Sequence, residues 1–229
     1  ISYPMTARFD SVPNRRAIVH RRALADELAA LDAPDTMRLR QAAALHLKKA
    51  LEAGRAEIAR RLLEHPARGH ESAASGAFLM DQLLRVLWDF TLARLYPNNN
   101  PSAAERMVLL AVGGYGRGEM APHSDVDIGF ITPWKQTSWS EQVIESMLYS
   151  LWDMGLKVGH SSRSLDEMVR EAKADVTVRT ALLESRYVWG DTALYDEAAA
   201  RFRTDVQHGT ARAFIAQKLA ERDERHRKM

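Results

Sequence analysis

The chain has 229 residues, 46% of them hydrophobic and 27% charged, with 32 basic and 30 acidic side chains for a net charge of +2. These proportions are ordinary for a folded protein and exclude a disordered, collagen-like or low-complexity chain. The near balance of charge is not the basic signature of a nucleic-acid binder. The absence of cysteine excludes a disulfide scaffold, a thiol nucleophile and cysteine-based zinc or iron–sulfur sites, and fits a reducing cytoplasm.

At roughly 150 residues per domain, the length allows one large domain or two small ones. The best apolar run, residues 107–112, is far short of the roughly 18 residues of a membrane span. The N-terminus, Ile1-Ser2-Tyr3-Pro4, lacks the basic region and apolar core of a secretory signal. It also lacks an initiator Met, as an internal start would. Residues 1–22 mix Pro4, Pro13 and Asn14 with Arg15, Arg16, His20, Arg21 and Arg22 and read as an irregular lead-in. From Asp35 the pattern is helical: Leu39, Ala43, Leu47, Leu51, Ile58 and Leu62 fall four or seven apart, on one helix face. Gly54 interrupts this pattern, and Pro66 and Gly69 end it. A second helix is expected over 76–96, with Leu79, Leu83, Val86, Leu87 and Phe90 inward, stopped by Pro97, three asparagines and Pro101.

After that turn the period changes. Met107-Val108-Leu109-Leu110-Ala111-Val112 is a continuous apolar run, as a strand buried on both faces requires. Gly113-Gly114-Tyr115-Gly116-Arg117-Gly118 follows, within which a short helical turn can begin. After the turn at 121–124, residues 125–132 read as a second strand ended by Pro133. Ser138 and Glu141 form a capping box for a helix with Ile144, Met147, Leu148, Leu151 and Trp152 on one face, closed by Gly155. A third strand is expected over 156–163, then a short helix capped by Ser164 and Glu167. Residues 175–187 are ambiguous because Val176, Thr177, Val178 and Thr180 are β-branched, and a helix is expected in their later half. Gly190-Asp191 is a turn, and helices over 192–206 and 210–228 finish the chain. The domain division expected is a helical region 1–100, a central core 101–191 and C-terminal helices 192–229.

One segment carries chemistry. Asp125 and Asp127 stand two apart on a strand, so their carboxylates share a face. Two like charges at that spacing favour a cation between them, and hard oxygen ligands suit Mg²⁺ or Mn²⁺. Upstream, Gly113 and Gly114 have no side chains to keep a phosphate from their amides. A phosphate cradle beside a carboxylate pair fits in-line nucleotidyl transfer. Rival readings fail on context. A dinucleotide fingerprint needs G-x-G-x-x-G and a long following helix, and a P-loop needs Lys then Ser or Thr after its last glycine.

Gly-Gly followed about ten residues later by Asp-x-Asp resembles the DNA polymerase β-type nucleotidyltransferase superfamily. The longer string from Gly113 to Glu119, with Pro122-His123-Ser124-Asp125-Val126-Asp127, is similar to the N-terminal part of the bacterial PII uridylyltransferase/uridylyl-removing family. So are residues 151–161, residues 180–186 and residues 218–226. The resemblance covers roughly residues 35–229. It implies an α+β fold: a polymerase β-like core, a small mixed sheet with helices, flanked by N-terminal and C-terminal helices. It implies UTP with Mg²⁺ (or Mn²⁺), attack of a tyrosine hydroxyl of the PII nitrogen-signalling protein on the α-phosphate, and release of pyrophosphate, in the cytoplasm and with no nucleic acid or membrane partner. Asp125 and Asp127 then take the catalytic and metal roles, and Gly113, Gly114, Arg117 and Ser124 the nucleotide. The family's metal-dependent HD domain, which removes uridylyl groups, and its ACT sensor domains would lie beyond Met229.

The superfamily usually adds a third carboxylate from a later strand, and residues 156–162 contain no acid. Glu184, Asp166 and Asp175 are the alternatives. Arg117 can touch phosphate or pair with Glu119. His123 can be a turn residue. His160 can be an acceptor-side base or a structural histidine, and Arg163 can screen pyrophosphate. His65 and His70 have no second pair to complete a zinc site, and Trp88, Trp152 and the methionines at helical spacing are read as core. Other base or acceptor specificity, or binding of nucleotide or PII without turnover, stays open.

Overall fold

The computed structural model describes residues 9–208, so the helix expected over 210–228 lies outside the described residues. The lead-in is more regular than its prolines and arginines suggest. Short α1 (Arg15–Ile18) and α2 (Arg21–Ala29) form, and Phe9, Val12, Ile18, Leu24 and Leu28 are buried. His20 opens α2 by accepting the Ala23 N–H on its Nδ1. Asp35 caps α3 (Thr36–Glu64) by accepting from Arg38 N, as side-chain oxygens at that position do.

The helix α3 runs straight through Gly54. A β-carbon there would lie 2.7 Å from Leu79 on α4 (Gly69–Phe90). Gly54 is therefore a close-packing position between two helices rather than a break. α4 begins seven residues before the expected start and continues into a π-helical turn over Thr91–Leu95.

A short 3₁₀ turn (Ala103–Glu105) leads to β1 (Val108–Ala111), α5 (Gly113–Gly116), β2 (Val126–Thr132), α6 (Ser138–Asp153), β3 (Val158–Ser164), α7 (Leu165–Ala174), α8 (Val176–Leu183), β4 (Arg186–Gly190) and α9 (Thr192–Arg201). The sheet order is β3-β2-β1-β4. β1 pairs antiparallel with both β2 and β4, and β2 pairs parallel with β3, the parallel pair being joined by the α6 crossover that such a connection needs. The α+β architecture is thus a small mixed sheet with helices, as a nucleotidyltransferase core has.

Both faces of the sheet are covered, which is why β1 is apolar at every position. Leu109, Ala111, Ile128 and Phe130 join α2, α3, α4 and α6 in one cluster, where Phe130 stacks on Trp88 at 6.4 Å. Val108, Leu110 and Ile131 join α7 and α9 in a second cluster.

Four expectations fail locally. Thr137, with Ser140, caps α6 in place of Ser138 and Glu141. The helix in the ambiguous stretch spans Val176–Leu183, starting earlier than expected because Asp175 accepts from Thr177 N and Val178 N and overrides the β-branched residues. The last two residues of the stretch open β4, a strand not anticipated, hydrogen-bonded to β1. Trp152 is not core: it is 44% exposed, edge-on to Tyr149 at 5.5 Å and to His160 at 6.2 Å.

One contact ties α4 to the segment before β2. Met120 N donates to Ala73 O at 3.0 Å, and a β-carbon on Gly76 would sit 2.7 Å from the Met120 carbonyl. Gly76→Ala should therefore destabilise the protein by about 1–3 kcal/mol through overpacking, against the gain that alanine gives in an open helix. Thermal denaturation of the variant decides between the two signs.

Candidate active site

The site forms where β1 ends. Val112 stays extended and pairs its N–H with Asp127 O at 3.0 Å. Gly113 then turns the chain at φ +61°, a conformation that glycine adopts without strain. α5 begins there. The N–H groups of Gly113, Gly114 and Tyr115 lead that turn and have no intrahelical acceptor. The chain leaves through Gly118 at φ +78° and returns to the sheet by a turn in which His123 is left-handed at φ +63°. Ser124 closes that turn, donating N–H and Oγ–H to Ala121 O at 3.1 and 2.9 Å. Asp125 precedes β2 and is exposed; Asp127 lies within β2, partly buried.

Asp127 is enclosed by two glycines. A β-carbon on Gly113 would lie 3.4 Å from Asp127 Oδ2, and one on Gly159, the register partner of Asp127 on β3, would collide with Asp127 Oδ1. The glycine turn and the carboxylate pair thus meet at one point. Burial, and then the neighbouring charge of Asp125, push the Asp127 carboxyl above its ordinary range. A divalent cation relieves that arrangement, and carboxylate oxygens are the donors Mg²⁺ takes, so the two aspartates fit the metal expected of such a site.

Comparison with known proteins follows the same segment. Residues 53–179, more than half of the chain, match the family described as "Putative nucleotidyltransferase DUF294". The chain belongs to this nucleotidyltransferase family. It is 59% identical over 218 residues to a protein of Novosphingobium aromaticivorans named "Bifunctional uridylyltransferase/uridylyl-removing enzyme". Proteins of the same name from Erythrobacter litoralis and Rhodospirillum rubrum are 55% and 51% identical. These alignments cover 95%, 95% and 93% of this chain but only 24%, 24% and 23% of the relatives, so the chain spans about a quarter of their length. Among the described residues no helix is long and apolar enough to cross a membrane.

Within this nucleotidyltransferase fold the remaining residues separate cleanly. Arg117 Nη1 donates to Glu184 Oε2 at 2.8 Å, and its Nε lies 3.6 Å from Glu119 Oε2. The expected Glu119 pairing is present, and Glu184 is the nearer partner. Of the three acids considered for a third carboxylate, Glu184 alone borders the glycine turn, its backbone carbonyl abutting Gly116. Asp166 accepts from Arg201 at 2.7 Å, and Asp175 caps α8. Arg163 is paired with Glu171 at 2.5 Å. His160 on β3 points, with its register partner Ile128, to the face opposite Asp127. Among the described residues no group of three or more His, Cys, Asp or Glu is placed to hold a metal.

Sequence reasoning missed what lies beneath the turn. Asp81, on α4, is fully buried; it accepts Tyr115 Oη–H at 2.6 Å and both terminal nitrogens of Arg186, at 2.6 and 3.0 Å. The available signal was an acid inside the apolar run Phe78-Leu79-Met80-Asp81-Gln82-Leu83-Leu84, since a charge in such a place requires a partner. Gly159 was missed as well, because its role exists only through register.

A carboxyl raised on folding contributes stability below the ordinary carboxylate value of 3.8 and loses it as pH rises through the raised value. Without metal at neutral pH, Asp127→Asn should therefore raise the melting temperature by no more than a few degrees. The gain should vanish when the comparison is repeated below pH 3.8. Calorimetric melts of both proteins across that range measure it.

Proposed function

We propose that this chain transfers UMP from UTP, with Mg²⁺, to a tyrosine hydroxyl of a PII-type signalling protein and releases pyrophosphate. The observation that carries the reading is the approach of Gly113 to Asp127, whose carboxylate lies 3.4 Å from where a β-carbon of residue 113 would stand, so that the glycine turn and the acid pair sit side by side. Its support beyond geometry is the nucleotidyltransferase family match and the relatives named for uridylyl transfer and removal.

In this reading Asp125 and Asp127 hold the metal. When bound, Mg²⁺ supplies charge neutralisation at the α-phosphate and a more acidic incoming hydroxyl. The amides of Gly113 and Gly114 receive triphosphate oxygens, as backbone N–H groups at such turns do. Arg117, exposed on the same turn, adds positive charge to the phosphates by exchanging its Glu184 contact. Ser124 fixes the turn that presents Asp125 and offers its hydroxyl to the nucleotide. The acceptor hydroxyl comes from outside, since the turn itself bears no activated nucleophile. The two-carboxylate set favours one second reading, nucleotide or PII binding without turnover.

The test is pyrophosphate release from UTP in the presence of PII, with ATP as competitor. Release blocked poorly by ATP supports the uridylyl reading; Mg²⁺-dependent binding without release supports the second. Asp125→Asn and Asp127→Asn should each lower transfer by more than the roughly 10–100-fold typical of residues that only support metal ligands, with the fold retained. Full activity in both places the site elsewhere. Gly114→Ala is the cleaner probe of the cradle. A β-carbon there meets only Glu119 O at 3.4 Å and Arg117 Nη2 at 3.6 Å, so the melting temperature should hold while UTP affinity falls. Unchanged affinity would remove the phosphate role.

A further inference from the structure

We infer that Asp81, Arg186 and Tyr115 are positioning residues for the nucleotide: they hold the turn of residues 113–118 from beneath, so that its amides are set before the triphosphate arrives. The inference rests on the nucleotide reading of the site.

α5 is four residues long, and no side chain caps its N-terminus. A single turn of helix does not sustain itself, so its shape is imposed from outside. The imposing group is the buried pair of Asp81 and Arg186, which a second arginine, Arg85, approaches at 3.8 Å. Arg186 Nη1 and Nη2 both donate to Asp81, which is fully buried, and Nη2 also donates to Tyr115 O at 3.2 Å. Asp81 Oδ1 accepts the Tyr115 hydroxyl. Tyr115, the third residue of the turn, is thus gripped at its side-chain tip and at its backbone carbonyl by the same pair. The Arg186 guanidinium also lies over the Tyr115 ring at 5.4 Å and the Phe9 ring at 5.3 Å. Its buried Nε–H finds no acceptor among the described residues, so its hydrogen bonds run to Asp81 and Tyr115.

Stability alone does not account for this arrangement. Buried ion pairs are commonly replaceable by apolar residues of similar volume without loss of stability. What an apolar pair cannot supply is direction, and here the directed bonds end on the turn that borders Asp127. Burial and Asp81 together push the Tyr115 hydroxyl far above its usual range, so it remains a donor at every working pH.

The test uses the full 229-residue chain and two variants, Tyr115→Phe and the double substitution Asp81→Leu with Arg186→Met. UTP with Mg²⁺ is titrated calorimetrically, melting temperatures are recorded, and hydrogen exchange is followed at residues 113–118 without ligand. Both variants should bind UTP roughly fivefold to thirtyfold more weakly, the range expected for losing one or two buried hydrogen bonds. The double variant should fold with a lowered melting temperature, because Arg85 keeps its bond to Val188 O but loses Asp81. Exchange at 113–118 should quicken while that of α3 does not. In a transfer assay the loss should sit in the KM for UTP, with kcat changed by less than about threefold. Should the double variant fail to fold, Tyr115→Phe decides alone, since it removes one oxygen and keeps the ion pair. Wild-type binding with unchanged affinity and exchange in the variants overturns this inference and leaves the nucleotide reading standing. Wild-type protein that binds no nucleotide overturns that reading, and this inference with it.

Discussion

The carboxylate of Asp81 is sealed from water, and the rest of the site hangs on how it is neutralised. Its hydrogen-bond partners come from a strand and a turn that are 105 and 34 residues away in sequence, and Arg85 on its own helix adds a second cation at 3.8 Å. Removing one member of such a pair strands the other charge, at a cost of about 3–5 kcal/mol. The asymmetry makes the network a directional constraint: α4, β4 and α5 can meet in one arrangement only. A second arginine reinforces it. Arg85, one helical turn beyond Asp81, donates its Nε–H to Val188 O at 3.0 Å and lies over the Trp189 ring at 5.2 Å. β4 is an edge strand, and it is secured by side chains from the helical layer as much as by its ladder with β1.

How much of this was legible follows from the range of each cause. β1 is readable because burial on both faces leaves an unbroken apolar run, and β2 because Ile128-Gly129-Phe130-Ile131 follows its aspartate and Pro133 ends it. The helix after Ser164 is readable because its cap, Glu167 included, is local. Gly113, Gly114, Asp125 and Asp127 fall within one short segment, so their proximity needed only a turn. The failures are non-local. Gly54 looks like a break until Leu79 is packed against it. β4 has five residues and two aromatics, and β1 alone identifies it as a strand. Gly159 means nothing until register sets it beside Asp127, and no pattern in residues 78–84 says that the partner of Asp81 is Arg186.

The site itself runs against the stability of the fold. Two carboxylates share a strand end, one of them partly buried and raised by both causes. A non-glycine residue, His123, is left-handed in the turn before them. Residues in such conformations cost of order 1–3 kcal/mol each and persist where the surroundings fix them. Here the surroundings are the Met120–Ala73 bond, the Gly76 approach and the Asp81 network, all of them outside the segment that carries the chemistry.

The same geometry explains the missing third acid. The β3 residues on the Asp127 face are Gly159, Ser161 and Arg163, by alternation from the Asp127–Gly159 pair. Position 159 is the one that touches Asp127, and any side chain there would drive into its carboxylate. An acid at that position would displace the ligand it was meant to assist. Arg163 is committed to Glu171. In this register β3 therefore serves the site by leaving room for the Asp127 carboxylate itself. Of the acids considered for a third carboxylate, the one that borders the glycine turn is Glu184, just before β4.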